Sequence, residues 1–203
     1  MERNISYGKI KDRIERSEPN TIYITSDFMD LASTYAANGA LRRLAKDGVI
    51  DQIMRGIYNK PKYNERLKRK VPPSPDDIAK AIARNYGWTI IPSGNTALNM
   101  LGLSTQVPAQ WEYVSDGPYK EYAIDDKTLI RFRHTANKEI TKISYNAALL
   151  IQALKAVGKD NIDRKTIRKI SSEISEERKA EIMKETQYTT SWIYEVIREI
   201  CNE

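Results

Sequence analysis

Five side chains in one short segment are of types that do chemistry with nucleic acids. Tyr35, Asn38, Arg42, Arg43 and Lys46 fall, with Gly39, on one side of a helical wheel drawn at about 100° per residue. Ala37, Ala40, Leu41 and Leu44 fall on the other. An arginine fork can donate two hydrogen bonds to guanine, and an asparagine amide can pair with adenine, each contact giving roughly 1–3 kcal/mol of discrimination. Cations that hold phosphates fix register without reading sequence, a role that suits Lys46, Lys60 and Lys62. Arg55 stands in the turn Met54-Arg55-Gly56 between two β-branched runs, Val49 to Ile53 and Ile57 to Tyr58. There it can enter a minor groove or hold a phosphate. Spacing does not settle which of Asn38, Arg42 and Arg43 would touch a base. An ordinary amphipathic helix with a solvated basic face carries the same pattern, so the flanking elements decide.

Thr34 is expected to cap this helix and Gly48 to end it in the left-handed conformation. Upstream, Ile5, Ile10 and Ile14 suggest a helix over about Ile5 to Arg16, broken at Glu18-Pro19-Asn20. Ile22-Tyr23-Ile24 reads as a short strand. Thr25 or Ser26 can cap a further helix running to about Leu31, with Asp27 in its first turn and Phe28 and Leu31 buried. Ala32-Ser33 makes the turn. The order helix, strand, helix, turn, helix, hairpin is that of a winged helix-turn-helix, whose second motif helix enters the major groove. The expectation is an α+β chain in three parts. Residues 1–60 form a winged helix-turn-helix DNA-binding domain. Residues 61–74 form a basic, proline-containing linker, its end stiffened by Pro72, Pro73 and the following Pro75, whose cations could add phosphate contacts or simply be solvated. Residues 75–203 form a mixed α/β domain ending in a helical C-terminal region.

Within that third part Ser74-Pro75-Asp76-Asp77 is a strong helix start, and Gly87 closes the helix. Strands are expected over Trp88 to Ile91, Trp111 to Ser115, Glu121 to Ile124 and Thr128 to His134, with a short helix from Asn95 to Leu101. Helices follow over Ser144 to Val157, Asp163 to Glu173, Ser175 to Thr186 and from Thr190 onward. Ser93-Gly94-Asn95 opening a helix has the look of an anion site, but its spacing fits neither the P-loop nor the dinucleotide fingerprint, and a structural turn explains it better. Asp76, Asp77, Ser93 and Asp116 are the residues an enzyme acting on nucleic acid or nucleotides would use, the alternative function. Helix and hairpin turns account for Asp76, Asp77 and the Asp125-Asp126 pair. His134 has no nucleophile motif near it.

The chain of 203 residues has one cysteine, Cys201, and one histidine. That excludes an internal disulfide and a cysteine-based zinc site, so no metal, cofactor or catalytic set is expected. No run approaches the ~20 apolar residues of a membrane span, and Met1 to Lys11 lacks the apolar stretch of a signal peptide. A cytoplasmic setting is expected. The net charge of +6 is unevenly spread: residues 1–70 carry 15 basic against 9 acidic residues, and the remaining 18 of each sign cancel. A surplus confined to one third points to a polyanionic partner for that third.

The runs A-L-R-R-L-A-K-D-G-V-I, R-G-I-Y, P-P-S-P-D-D-I-A-K-A-I-A and P-S-G-N-T-A-L-N-M-L-G-L-S-T-Q-V-P resemble the AbiEi-type antitoxins of bacterial toxin–antitoxin systems. The resemblance spans roughly residues 5–160. Its more distinctive parts are Pro72 to Asp77 and Pro92 to Pro108. It implies a transcriptional autorepressor that binds repeats in its own promoter through the winged helix. It also implies a partner toxin of nucleotidyltransferase type, counteracted by the second domain with or without direct contact. On this chain the implied double-stranded DNA contacts are Tyr35, Asn38, Arg42, Arg43, Lys46 and Arg55. The resemblance brings no catalytic residue and no cofactor.

Overall fold

Charged residues crowd the first helix, α1 (Glu2–Arg16), so few apolar side chains are left to hold it down; Ile10 and Ile14 are both fully buried. The computed structural model describes residues 2–136 and 140–203, with side chains from Ser6 onward, so the burial expected of Ile5 lies outside the described residues. The chain divides into two compact units, one ending at Gly87 and one running from Trp88 to Glu203.

In the first unit, α1 is followed by β1 (Ile22–Ile24), a 3₁₀ turn (Thr25–Phe28), α2 (Thr34–Lys46), β2 (Asp51–Met54) and β3 (Ile57–Asn59). The strands form an antiparallel sheet of order β1-β3-β2. The expected second helix is thus a single 3₁₀ turn. Asp27 folds back to accept from the Ile24 N–H at 2.9 Å, closing the turn at its start, and the chain leaves it directly after Phe28. Phe28 is fully buried, as expected, while Leu31 packs only partly. Arg13 ties this turn to α1 by donating to the Asp27 carbonyl at 3.0 Å, and it holds the Asp30 carboxylate just beyond the turn at 2.9 and 2.5 Å. The apolar side of α2 (Ala37, Ala40, Leu41 and Leu44) packs on Ile10, Ile14, Phe28 and Ile50 to make the core of the unit. Ser33 caps α2, accepting from the Ala36 N–H at 3.4 Å; Thr34, the expected cap, is one residue inside. Gly48 has φ 76°, the left-handed exit expected of it.

Residues 61–74 are not a plain linker. β4 (Lys62–Asn64) and β5 (Arg69–Val71) pair as an antiparallel hairpin. Asn64 Oδ1 accepts from the Leu67 N–H at 2.9 Å, and Lys68 takes the left-handed φ of 48° that completes the turn. Side-chain turn chemistry, not hydrophobic alternation, builds this element. Helix α3 (Pro75–Tyr86) starts as the sequence indicates: Ser74 Oγ accepts from the Asp77 N–H at 3.1 Å and Gly87 exits at φ 70°. It belongs to the first unit, not to the second as the expected boundary at 74/75 has it. Arg84 donates to the Ile22 carbonyl and to Asp27, both at 3.2 Å, and so ties α3 to β1 and the 3₁₀ turn.

The second unit contains β6 (Ile90–Pro92), α4 (Gly94–Met100), β7 (Gln110–Ser115), β8 (Lys120–Ala123), β9 (Leu129–His134) and helices α5 (Tyr145–Val157), α6 (Arg164–Ser172), α7 (Glu176–Glu185) and α8 (Ser191–Asn202). The sheet order is β6-β7-β9-β8, with β7 and β9 parallel and the other pairs antiparallel. Ile91, Ala97, Ala148, Leu149 and Ala153 form one cluster where α4 and α5 cover the sheet. Leu150, Leu154, Ile170, Ile182, Ile193 and Ile197 form a second among the C-terminal helices. The architecture is mixed α+β, and no helix among the described residues is long and apolar enough to cross a membrane.

Candidate nucleic-acid interface

Burying Ala37, Ala40, Leu41 and Leu44 turns the opposite side of α2 outward. Tyr35 is 76% exposed, Arg42, Arg43 and Lys46 are exposed, and Asn38 is half-buried. Tyr35, Asn38, Arg42 and Arg43, together with Tyr7 of α1, line an open groove of about 580 Å³, with Gly39 among its lining residues. Nothing among the described residues lies within 4 Å of where a side chain on Gly39 would project. Four of the residues expected on spacing, Tyr35, Asn38, Arg42 and Arg43, therefore share this groove, and Lys46 follows one turn on. Arg55 is exposed in the turn between β2 and β3.

The two arginines differ in setting. The side chain of Arg42 has no hydrogen-bond or ion-pair partner among the described residues. Arg43 stacks on the Tyr7 ring, with its guanidinium carbon 4.5 Å from the ring centroid, and its Nε lies 3.7 Å from Asp47 Oδ2. The Tyr7 hydroxyl donates to the same carboxylate oxygen at 3.2 Å. Arg43 is thus held between the Tyr7 ring and the Asp47 carboxylate. Sequence reasoning missed Tyr7, although Tyr7, Ile10 and Ile14 stand at i, i+3, i+7 and so on one helix face. Asn38 is also engaged: the Thr25 hydroxyl donates to its Oδ1 at 2.6 Å, joining the 3₁₀ turn to α2.

Lys60 departs from expectation. Its Nζ donates to the main-chain carbonyls of Glu15 and Ser17, at 2.8 and 2.5 Å. A cation there satisfies carbonyls that the end of α1 leaves without an intrahelical partner and meets the negative end of the helix dipole. Lys62, by contrast, is exposed on β4 with no side-chain partner among the described residues.

The residues suspected of other chemistry have structural partners. Asp76 pairs with Lys80 at 2.6 Å, and Asp77 accepts from the Ser74 hydroxyl at 3.0 Å. Asp116 accepts from the Thr89 N–H at 2.8 Å. Asp125 accepts from the Lys127 and Thr128 N–H groups at 2.8 and 2.7 Å, which holds its carboxyl below the usual carboxylate range. His134 Nδ1 bonds the Gly117 carbonyl at 3.0 Å. At Ser93-Gly94 the Glu112 carboxylate lies directly over Gly94, where a Cβ would overlap it. Arg133 and Arg131 hold that carboxylate at 2.7 and 3.5 Å. The position suspected of binding an anion is filled by the chain's own carboxylate. No group of three or more His, Cys, Asp or Glu side chains able to hold a metal occurs among the described residues.

No protein with a curated description matches the chain. A family model described as a family of unknown function, DUF6088, matches residues 9–182. That span contains α2, both hairpins of the first unit and the sheet of the second, and the chain belongs to the DUF6088 family.

Proposed function

We propose that this protein is a sequence-specific DNA-binding protein that represses its own operon, and that it acts there as the antitoxin to a nucleotidyltransferase-type toxin. The observation that carries the DNA-binding part is the outward face of α2. Two arginines, a lysine, an amide and a phenol line it, in a unit that holds the chain's entire positive surplus. The succession α1, β1, 3₁₀ turn, α2, β2–β3 hairpin supports a winged helix-turn-helix, with the 3₁₀ turn standing where the motif has its first helix. On this reading α2 enters the major groove, Arg42 and Arg43 meet base edges or phosphates, Lys46 and Lys62 hold phosphates, and Arg55 is the wing tip. Lys60 has no part in it. The antitoxin role rests on the resemblance of the segments Pro72 to Asp77 and Pro92 to Pro108 to AbiEi-type antitoxins. On this reading the protein works in the cytoplasm.

Arg42 gives the sharpest test, because its side chain is exposed and has no hydrogen-bond or ion-pair partner among the described residues. Arg42→Ala should weaken binding to a duplex from the protein's own promoter by about 1–3 kcal/mol, roughly 5- to 150-fold, with an unchanged melting curve. If the wild-type chain binds that duplex no better than a shuffled one, the DNA-reading proposal fails. The antitoxin part is tested separately. Coexpression with the product of the adjacent open reading frame should restore growth that this product alone arrests.

A further inference from the structure

The β4–β5 hairpin contributes nothing to the core of its unit: none of Lys62, Tyr63, Asn64, Arg69, Lys70 and Val71 is buried. A lone two-stranded hairpin is marginal in water. This one is fastened to the first unit by polar contacts instead. Lys70 grips both oxygens of Asp51 on β2, at 2.6 and 2.8 Å, and the Asn20 amide donates to the Pro72 carbonyl at 3.4 Å. With Lys70 spent on the anchor, the side chains of Lys62, Arg66, Lys68 and Arg69 have no hydrogen-bond or ion-pair partner among the described residues. Glu65 is the single acidic residue between Lys60 and Val71.

We infer that this hairpin is a second DNA-contacting element, which holds the phosphate backbone of the duplex through Arg66, Lys68 and Arg69 with Lys62 beside them. The inference rests on the proposal that α2 binds duplex DNA, and it assigns a separate element and a separate kind of contact. The anchor sits on Asp51, at the start of the strand that leads to Arg55, so the hairpin joins the β2–β3 wing rather than hanging free as a tether. Its cations stand on and beside a turn closed by Asn64 and Lys68, with their side chains exposed, while the Asn64 Oδ1 is spent on the Leu67 N–H, an arrangement suited to contacts with the phosphate backbone. Such contacts position a duplex without reading it. They raise affinity for all sequences alike, and each one neutralises a phosphate whose counterion is released.

The experiment is an anisotropy titration of the full chain against two duplexes of equal length, one from its own promoter and one shuffled, at four salt concentrations. The triple variant Arg66→Ala/Lys68→Ala/Arg69→Ala should lower the slope of log affinity against log salt by about 2–3, at ~0.9 per phosphate lost. It should weaken both duplexes by the same factor and leave the melting curve unchanged. Arg66→Lys/Arg69→Lys should keep the wild-type slope. A triple variant with the wild-type slope on a duplex that the wild type binds overturns the inference and leaves the role of α2 standing. A loss seen on the promoter duplex alone also overturns it, because it would mean base reading. A wild-type chain that binds neither duplex overturns both proposals.

Discussion

Replacing Lys60 by alanine separates a cation that holds the fold from one that holds a ligand. In the structure its ammonium group donates to the carbonyls of Glu15 and Ser17. Charge-assisted bonds of this kind contribute about 1.5–3 kcal/mol each when fully formed, and a cation at a helix C-terminus adds about 0.3–1 kcal/mol. Water reaches the Glu15 carbonyl once the lysine is gone, which recovers much of one bond. The net loss is then about 2 kcal/mol. For a unit of this size each kcal/mol moves the melting temperature by about 4–8 °C, so Lys60→Ala should lower the first unit's transition by roughly 8–16 °C. The assay is thermal denaturation followed by circular dichroism, run beside the promoter-duplex titration at a temperature where the variant remains folded. Affinity per folded molecule and the salt slope should both match the wild type. A variant that melts like the wild type but whose salt slope falls by about one would refute the reasoning, because it would place Lys60 on a phosphate.

Gly94→Ala should destabilise the second unit by about 2–3 kcal/mol. Alanine at φ 54° costs about 1–2 kcal/mol, and its methyl would push on a Glu112 carboxylate that Arg131 and Arg133 keep from moving aside; urea denaturation measures the loss, and an unchanged midpoint would remove Gly94 from the account. Stability should also fall in acid. Arg13 holds the Asp30 carboxyl below its ordinary range by hydrogen bonding, the Thr166 N–H does the same to Asp163 at the start of α6, and Tyr119 and Arg131 do so for Glu121. Each binds its proton less readily folded than unfolded, so its stabilisation is complete above the ordinary carboxylate range and is lost as the pH falls through that range toward the folded-state values. A denaturation midpoint independent of pH between about 6 and 3 would contradict this.

Much of the fold was legible where one local signal sufficed. The two-sidedness of α2 follows from residue spacing alone, and Ala37, Ala40, Leu41 and Leu44 are the residues it buries. Ser74-Pro75, Gly87, Ser144, Gly158 and Asp163 mark helix ends by their own backbone and side-chain chemistry, and all lie at helix boundaries in the structure. What spacing missed was set by partners distant in sequence. Lys60 reads as one more basic residue until the end of α1, 43 residues upstream at Ser17, is brought to its ammonium group. Arg43 looks equivalent to Arg42 until Tyr7, on another helix, stacks against it. The β4–β5 hairpin has no hydrophobic alternation to announce it, because its side chains face water and its turn is closed by Asn64 and Lys68. The extent of the first unit, to Gly87, is hidden in the sequence for a related reason. The proline-rich stretch before α3 suggests a boundary, yet Arg84 ties that helix back to β1.

Gly39 lies in the middle of α2 with open space where a side chain would be. Glycine inside a helix costs about 0.8–1 kcal/mol relative to alanine, through the extra freedom it surrenders on folding. Nothing among the described residues offsets that cost, since a methyl group there would meet none of them. The helix is therefore less stable than an alanine there would make it. What it gains is a bare strip of main chain, flanked by Tyr35, Arg42 and Arg43, that another surface can approach one methyl group's thickness more closely.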